Sequence, residues 1–460
     1  MKKSITEKAI EAPARVLDAS IEDTLKFTRS LHFGGSNSFQ KAKNFWYILG
    51  PGLTTGASDD DPSGIATYSQ TGAQYGFTLL WMAAFTFPLM AVIQEMCARI
   101  GLVTGRGLAG NIRVHFGKKI LYISTILLFA ANAFNIGADL GAMASAVQLL
   151  IPNVNITFLV IGLTLFILLL QIFTPYVRYA RYLKWLALVL FAYIASAILA
   201  HPDWNQVLKA SLVPHITFNK DELLIICAVL GTTITPYLFF WQTSQEIEEE
   251  VAHGLTTLKL RKGTNATDVG KMRIDVWSGM FLSNVVMFFI IAACATVLFS
   301  HGATNIATAA QAAQALRPFA GDASYFLFAI GILGMGLLAI PVLAGSSAYA
   351  VSESIGRKRQ GLNNKLKQAY NFYGVIIISM FVGLALNFVG LNPIKALIYS
   401  AVLNGVVAPV ILVLILLIAR NKHIMGEWKN GKVSATLGWI LAILMSISGI
   451  AAIYSLFLPA

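Results

Sequence analysis

The chain has 460 residues, 56% of them hydrophobic, with a mean hydropathy of +0.67, and this excludes an ordinary soluble protein. Charged residues make up 12%, about half of the roughly 25% usual in soluble domains. The net charge of +12, from 34 Lys and Arg against 22 Asp and Glu, does not mark a nucleic-acid binder, because no basic run is interleaved with stacking aromatics and no such motif occurs.

The first 43 residues are polar and carry no charged-then-apolar leader pattern, so no cleaved signal is expected. Within them, 5–33 has an amphipathic pattern that suits either a helix on the membrane surface or a solvated tail. Eleven apolar segments follow, each near the roughly 20 residues that cross a bilayer core: 46–76, 78–102, 119–150, 156–174, 182–200, 222–243, 276–299, 323–345, 370–389, 394–418 and 434–458. Ten-residue alternating blocks are absent, which rules out a membrane β-barrel. Cys97, Cys227 and Cys294 all fall in apolar segments and read as small buried hydrophobes. With the N-terminus placed in the cytoplasm, all but four of the 34 Lys and Arg, namely Lys209, Lys220, Arg317 and Lys395, fall in cytoplasmic segments. That asymmetry predicts a multi-pass cell-membrane protein with a cytoplasmic N-terminus and an extracytoplasmic C-terminus.

Two spans should break. In the first, Gly50-Pro51-Gly52 leads to Asp59-Asp60-Asp61-Pro62-Ser63-Gly64, and each carboxylate at mid-membrane costs about 2.5–3.5 kcal/mol on insertion scales. Proline removes a donor and disfavours helix just before it. The sixth span holds the counterpart, Gly231-Thr232-Thr233-Ile234-Thr235-Pro236-Tyr237. Breaks five spans apart predict two five-helix halves of inverted topology, 44–200 and 221–418, with 434–458 as an added helix and 1–43 as a tail. Freed carbonyls and half-helix ends then face a midplane site, and the acids there predict a cationic substrate.

Elsewhere, Asp59 and Asp60 suit either a water-mediated outer shell or a solvated helix end. Asp139, with Asn132 and Asn135 on the same span, points polar groups inward, for function or interhelical bonding. Asn404 could line the pathway. Glu95 and Arg99 pair at i,i+4, the acids Glu246 to Glu250 read as a solvated face or, less readily, an exit vestibule for cations, and Gly52–Gly56 and Gly137–Gly141 read as close-packing sites.

At these residues the chain resembles the natural-resistance-associated macrophage protein (NRAMP) family of divalent-metal transporters, over nearly everything after about residue 44. The stretch QEMCARIGLVTG from Gln94 to Gly105 adds to the likeness. The resemblance implies a LeuT-like 5+5 inverted repeat with helices 1 and 6 broken, and no enzymatic activity. Where the family has Asp-Pro-Gly-Asn, this chain has Asp61-Pro62-Ser63-Gly64; where it has Ala-x-x-Met-Pro-His, this chain has Thr232 to Tyr237. By position the implied metal ligands are Asp61, Gly64, Thr232 and Thr235, with Asp59, Asp60, Tyr237, Asp139 and Asn404 as an outer shell or pathway.

Loss of the Met thioether at Thr235 and of a side chain at Gly64 leaves hard oxygen and more room, which suits a partly hydrated Mg²⁺. The pattern is similar to the magnesium-transporting branch of the family, which also carries Mn²⁺. The resemblance further implies a lost proton relay: Asp139 keeps one acid of a pair, Ala142 replaces the other, Tyr237 and Gln242 stand where histidines are expected, and 370–389 has no arginine. The expectation is transport of Mg²⁺ and Mn²⁺ by alternating access without protons. The metal is the substrate, no cofactor or obligatory protein partner is expected, and the bilayer is the surrounding. A proton-coupled Mn²⁺ or Fe²⁺ symporter using Asp139 is the nearest alternative. A sodium-coupled carrier of organic solutes fits less well, because three aspartates would repel a substrate carboxylate.

Overall fold

The computed structural model describes residues 50–174, 189–356, 361, 362, 364 and 366–455, and these are all-helical with no strand. The tail 1–43, the basic residues Arg178, Arg181 and Lys184, and residues 182–188 of the expected span 182–200 lie outside the described residues. In chain order the principal helices are α1 (Pro51–Asp59), α2 (Pro62–Tyr75), α3 (Trp81–Thr104), α4 (Leu108–His115), α5 (Lys118–Leu150), α6 (Ile156–Phe173), α7 (Phe191–Leu199) and α8 (Trp204–Leu212). They continue as α9 (Lys220–Thr233), α10 (Pro236–Ala252), α11 (Ala266–Val297), α12 (Ser324–Ile355), α13 (Tyr370–Leu386), α14 (Pro393–Arg420) and α15 (Lys432–Ser455).

Among the described residues, eight helical stretches are long and apolar enough to cross a membrane, and α13 is a shorter apolar helix. The other two expected spans do not count by length: 46–76 is divided into α1 and α2, and only Phe191–Leu199 of 182–200 is described as an α-helix. Several helices overrun their apolar segments. α11 starts at Ala266 rather than 276, α12 continues to Ile355 rather than 345, and α10 runs on to Ala252. Polar residues support helix as well as apolar ones do, so hydropathy marks the slab crossed and not where the helix stops.

Burial separates centre from rim. The α9–α10 rod is 89% buried over its most apolar window and α6 only 28%. Phe158 and Phe173 on α6, and Ile447 and Ile450 on α15, are exposed apolar side chains, as lipid-facing positions should be. The broken rods therefore lie inside a shell of intact helices. The α1–α2 rod packs on α11, while α10 packs on α3, and α5 packs on α12. Each broken rod thus leans on the long helix that follows the other one in the chain.

Glycine makes the innermost contact possible. A Cβ on Gly56 would lie 2.3 Å from the Gly279 carbonyl oxygen, and one on Gly279 would lie 2.2 Å from that of Gly52. Only bare backbone fits there. Gly137 meets the Gly383 backbone in the same way and Gly141 meets the Asn387 side chain, so both glycine pairs anticipated from spacing are packing sites. In the second half of α2, Gln70 accepts from the Ile306 amide at 2.9 Å and donates to the Thr304 carbonyl at 3.2 Å, strapping the 302–308 loop.

Candidate cation site

Both rods break over two residues ahead of a proline. Asp60 and Asp61 separate α1 from α2, and Ile234 and Thr235 separate α9 from α10, with Pro62 and Pro236 each opening the second half-helix. Proline is pre-shaped for that first position and has no N–H to leave unpaired. The same chemistry ends the preceding half-helix, whose last carbonyls lose their intrahelical partners.

Asp61 is the N-cap of α2. Its Oδ1 accepts from the Gly64 amide at 2.7 Å, and its Oδ2 accepts from Asn135 Nδ2 of α5 at 2.8 Å. Gly64 also lets α9 approach: a Cβ there would lie 3.3 Å from Thr232 Oγ1 and 3.4 Å from the Asp59 carbonyl oxygen. Asp61, Gly64 and Thr232 are thus brought together. Thr235 occupies the N-cap of α10, but its hydroxyl caps nothing. Tyr237 spends its hydroxyl on the Ser58 carbonyl at 2.9 Å, one of those released at the end of α1.

Asp59 and Asp60 are buried and face α11, which excludes the solvated helix end. Ser283 Oγ is 2.6 Å from Asp59 Oδ2 and 3.3 Å from Asp60 Oδ1. Asp139 is fully buried, in the field of Asp61 and facing the Ser63 amide, and neither of its carboxylate oxygens has a close hydrogen-bond partner. Asn404 is buried on α14 with its carboxamide oxygen unpartnered; no described hydrogen bond joins it to Asp61. Its neighbour Gly405 packs on the Cys227 carbonyl instead.

The electrostatics of this region point one way. Asp59, Asp60, Asp61 and Asp139 are all at most 3% exposed, and none takes part in a described ion pair. On the same helices and the α9–α10 rod, Ser63 Oγ, Thr67 Oγ1, Asn135 Oδ1, Thr232 Oγ1 and Thr235 Oγ1 are buried and lack hydrogen-bond partners. Unpaired anions buried in a low dielectric are strongly unfavourable, and unsatisfied oxygens beside them suit a hydrated cation. No described group of three or more His, Cys, Asp or Glu forms a closed metal cage. The arrangement therefore offers Asp61 with hydroxyl, carboxamide and carbonyl oxygens, a donor set for a hard ion that keeps some of its water.

Three other features refine the sequence reading. Glu95 pairs with Arg99 at 3.2 Å as spacing indicates, and adds Arg273 at 2.9 Å and Trp277 Nε1 at 2.8 Å. Glu246 and Glu248 are buried rather than part of a solvated face. Gln242 donates to Glu246 at 2.8 Å and accepts from Thr55 of α1 at 2.5 Å, tying α10 to α1. Asn132 donates to Ser346 and Ser347 of α12 at 2.9 Å each and is a packing residue, unlike Asn135.

Sequence reasoning missed Ser283 and Asp275. Asp275 of α11 accepts from the Gly50, Gly52 and Leu53 amides at 2.7, 2.6 and 3.0 Å, capping α1 from another helix. The adjacent Ser283-Asn284 pair inside an apolar span was the available signal; for Asp275, at the edge of its apolar segment, there was none.

A family model described as natural resistance-associated macrophage protein-like matches residues 52–455. A divalent metal cation transporter, MntH, from Klebsiella pneumoniae is 26% identical over 411 residues, covering 87% of this chain and 92% of the relative. Its namesake from Clostridium acetobutylicum is 26% identical over 431 residues, covering 92% and 94%. Among solved structures, a manganese transporter from Eremococcus coleocola aligns with a TM-score of 0.71 at 20% identity, covering 92% of this chain and 89% of that one. The transporter Mhp1, of the nucleobase-cation-symport-1 family, aligns at 0.51 with 12% identity, covering 88% and 91%.

Proposed function

Since the chain belongs to the natural resistance-associated macrophage protein-like family, we propose that it is a membrane transporter of divalent metal cations, carrying Mg²⁺ and Mn²⁺ by alternating access without obligatory proton movement. The observation that carries this reading is Asp61: a fully buried carboxylate at a helix break, in no described ion pair, gripped by Asn135, whose own Oδ1 is unsatisfied. Divalent metal transport is what the names of the relatives state for those proteins. The Mg²⁺ assignment rests on ligand chemistry. Thr232 and Thr235 offer hydroxyl oxygen, Gly64 offers space, and no described thioether or imidazole is bonded to Asp61. Hard oxygen and retained water favour Mg²⁺, and Mn²⁺ tolerates the same donors.

The lack of proton coupling is supported by Tyr237 and Gln242, whose side chains are engaged with Ser58 and with Thr55 and Glu246, and which do not titrate near neutral pH. The membrane potential then drives entry, contributing about 4.6 kcal/mol per 100 mV for a divalent ion. The exchanged packing of the two broken rods supports an inverted repeat of 44–200 and 221–418, with 434–458 outside it, for eleven spans in all. The lysine and arginine distribution supports a cytoplasmic N-terminus in the cell membrane.

Uptake of Mg²⁺ and Mn²⁺ into proteoliposomes containing an interior pH dye tests the reading. The expected result is metal entry with no internal acidification, abolished in Asp61→Ala. Acidification that tracks Mn²⁺ entry would instead identify a proton symporter, with Asp139 as the candidate carrier.

A further inference from the structure

Asn135 is fully buried on α5 and donates its Nδ2 hydrogen to Asp61 Oδ2 at 2.8 Å. Its orientation is forced, because the opposite amide rotamer would point an acceptor at a carboxylate. That leaves Oδ1 as a buried oxygen with no hydrogen-bond partner, held beside Asp61 by the short carboxamide. Asn132, one turn earlier on the same helix, also has an unpartnered Oδ1, but its nitrogen bonds α12 and not a carboxylate. The two amides therefore differ in what they serve.

We propose that Asn135 is a specificity-determining residue of the cation site, holding Asp61 with its N–H while its Oδ1 accepts a hydrogen bond from water retained on the ion. The inference rests on the cation-site reading of Asp61 and adds a polar contribution from a helix that has no break. The Gly64 amide engages one carboxylate oxygen and Asn135 the other, so each keeps one lone-pair direction for the ion. An ion entering on that side brings its own water, whose hydrogens need acceptors. Mg²⁺ releases water reluctantly, so an acceptor placed outside its first shell favours it over an ion that sheds water more readily.

The test is initial-rate uptake of Mg²⁺ and Mn²⁺ by the full-length chain in proteoliposomes, comparing wild type with Asn135→Leu and Asn135→Asp. For Asn135→Leu, close in size but without polar atoms, KM for Mg²⁺ should rise at least about tenfold while KM for Mn²⁺ rises less than about threefold, a selectivity change worth on the order of 0.7 kcal/mol or more. Asn135→Asp is isosteric and retains the oxygen. It should lower KM and kcat for both ions, through a second carboxylate that binds tightly and releases slowly, with their ratio held within about threefold. Equal KM changes for the two ions in Asn135→Leu, or a fall in kcat alone in both variants, would reduce Asn135 to a packing residue and overturn the proposal. If Asn135→Leu fails to insert, the Asn135→Asp ratio and KM–kcat split decide by themselves. Failure of the underlying site would be recognised separately, as Asp61→Ala transporting both ions like wild type.

Discussion

The two helix breaks share a backbone plan and differ in chemistry. Each interrupts a rod over two residues before a proline, yet the first presents Asp60 and Asp61 and the second Ile234 and Thr235. In the first, the N-cap is used: Asp61 accepts from Gly64 and is gripped by Asn135. In the second, the N-cap hydroxyl of Thr235 is unspent. In the proposed reading, the charged break supplies attraction for any cation and the neutral one discrimination among cations, because its ligand type can vary without emptying the site of charge.

The largest effect should come from removing that attraction. Asp61→Asn keeps the shape and loses the charge; Mn²⁺ binding by calorimetry should weaken roughly a hundredfold, about 2.7 kcal/mol. Thr235→Met sharpens the other half of the comparison by giving the neutral break a soft ligand. It should shift preference toward Mn²⁺ or Cd²⁺ over Mg²⁺ by roughly tenfold, read in competition uptake, and an unchanged ranking would remove the argument from ligand hardness.

Proline replacement then asks how far each break depends on its proline. Pro236→Ala restores a donor where no side chain caps the helix, so uptake should fall roughly fivefold as the gap heals. In Pro62→Ala, Asp61 still caps α2, and the fall should stay below about twofold. The smallest effect is expected at Asp275→Asn, which weakens three amide contacts without abolishing them. Hydrogen exchange at Gly50, Gly52 and Leu53 should quicken roughly fivefold, about 1 kcal/mol, with Mn²⁺ affinity unchanged.

The breaks themselves were legible because proline and acids are costly in an apolar span and stand out against it. So were Asp139 and Asn135, polar residues within the long helix α5. Their partners were not legible: Ser283 lies 224 residues from Asp59 and Asp275 lies 223 from Gly52, and periodicity reads only neighbours along one helix. The burial of Glu246 and Glu248 was misread for a related reason. A run of acids reads as solvated until the packing of α10 against α3 and α12 is known.

The contact of Gly52 and Gly56 with Gly279 has a consequence for dimension. Because main chain meets main chain there, the separation of α1 from α11 is set by peptide geometry, with no side chain to act as a shim. Ser283 stands four residues, one helical turn, beyond Gly279, so its hydroxyl reaches Asp59 and Asp60 at a distance inherited from that crossing. Substitutions elsewhere on either helix can change what surrounds the acidic cluster while leaving this wall in register. A single methyl group at the crossing would alter the gauge of the whole site.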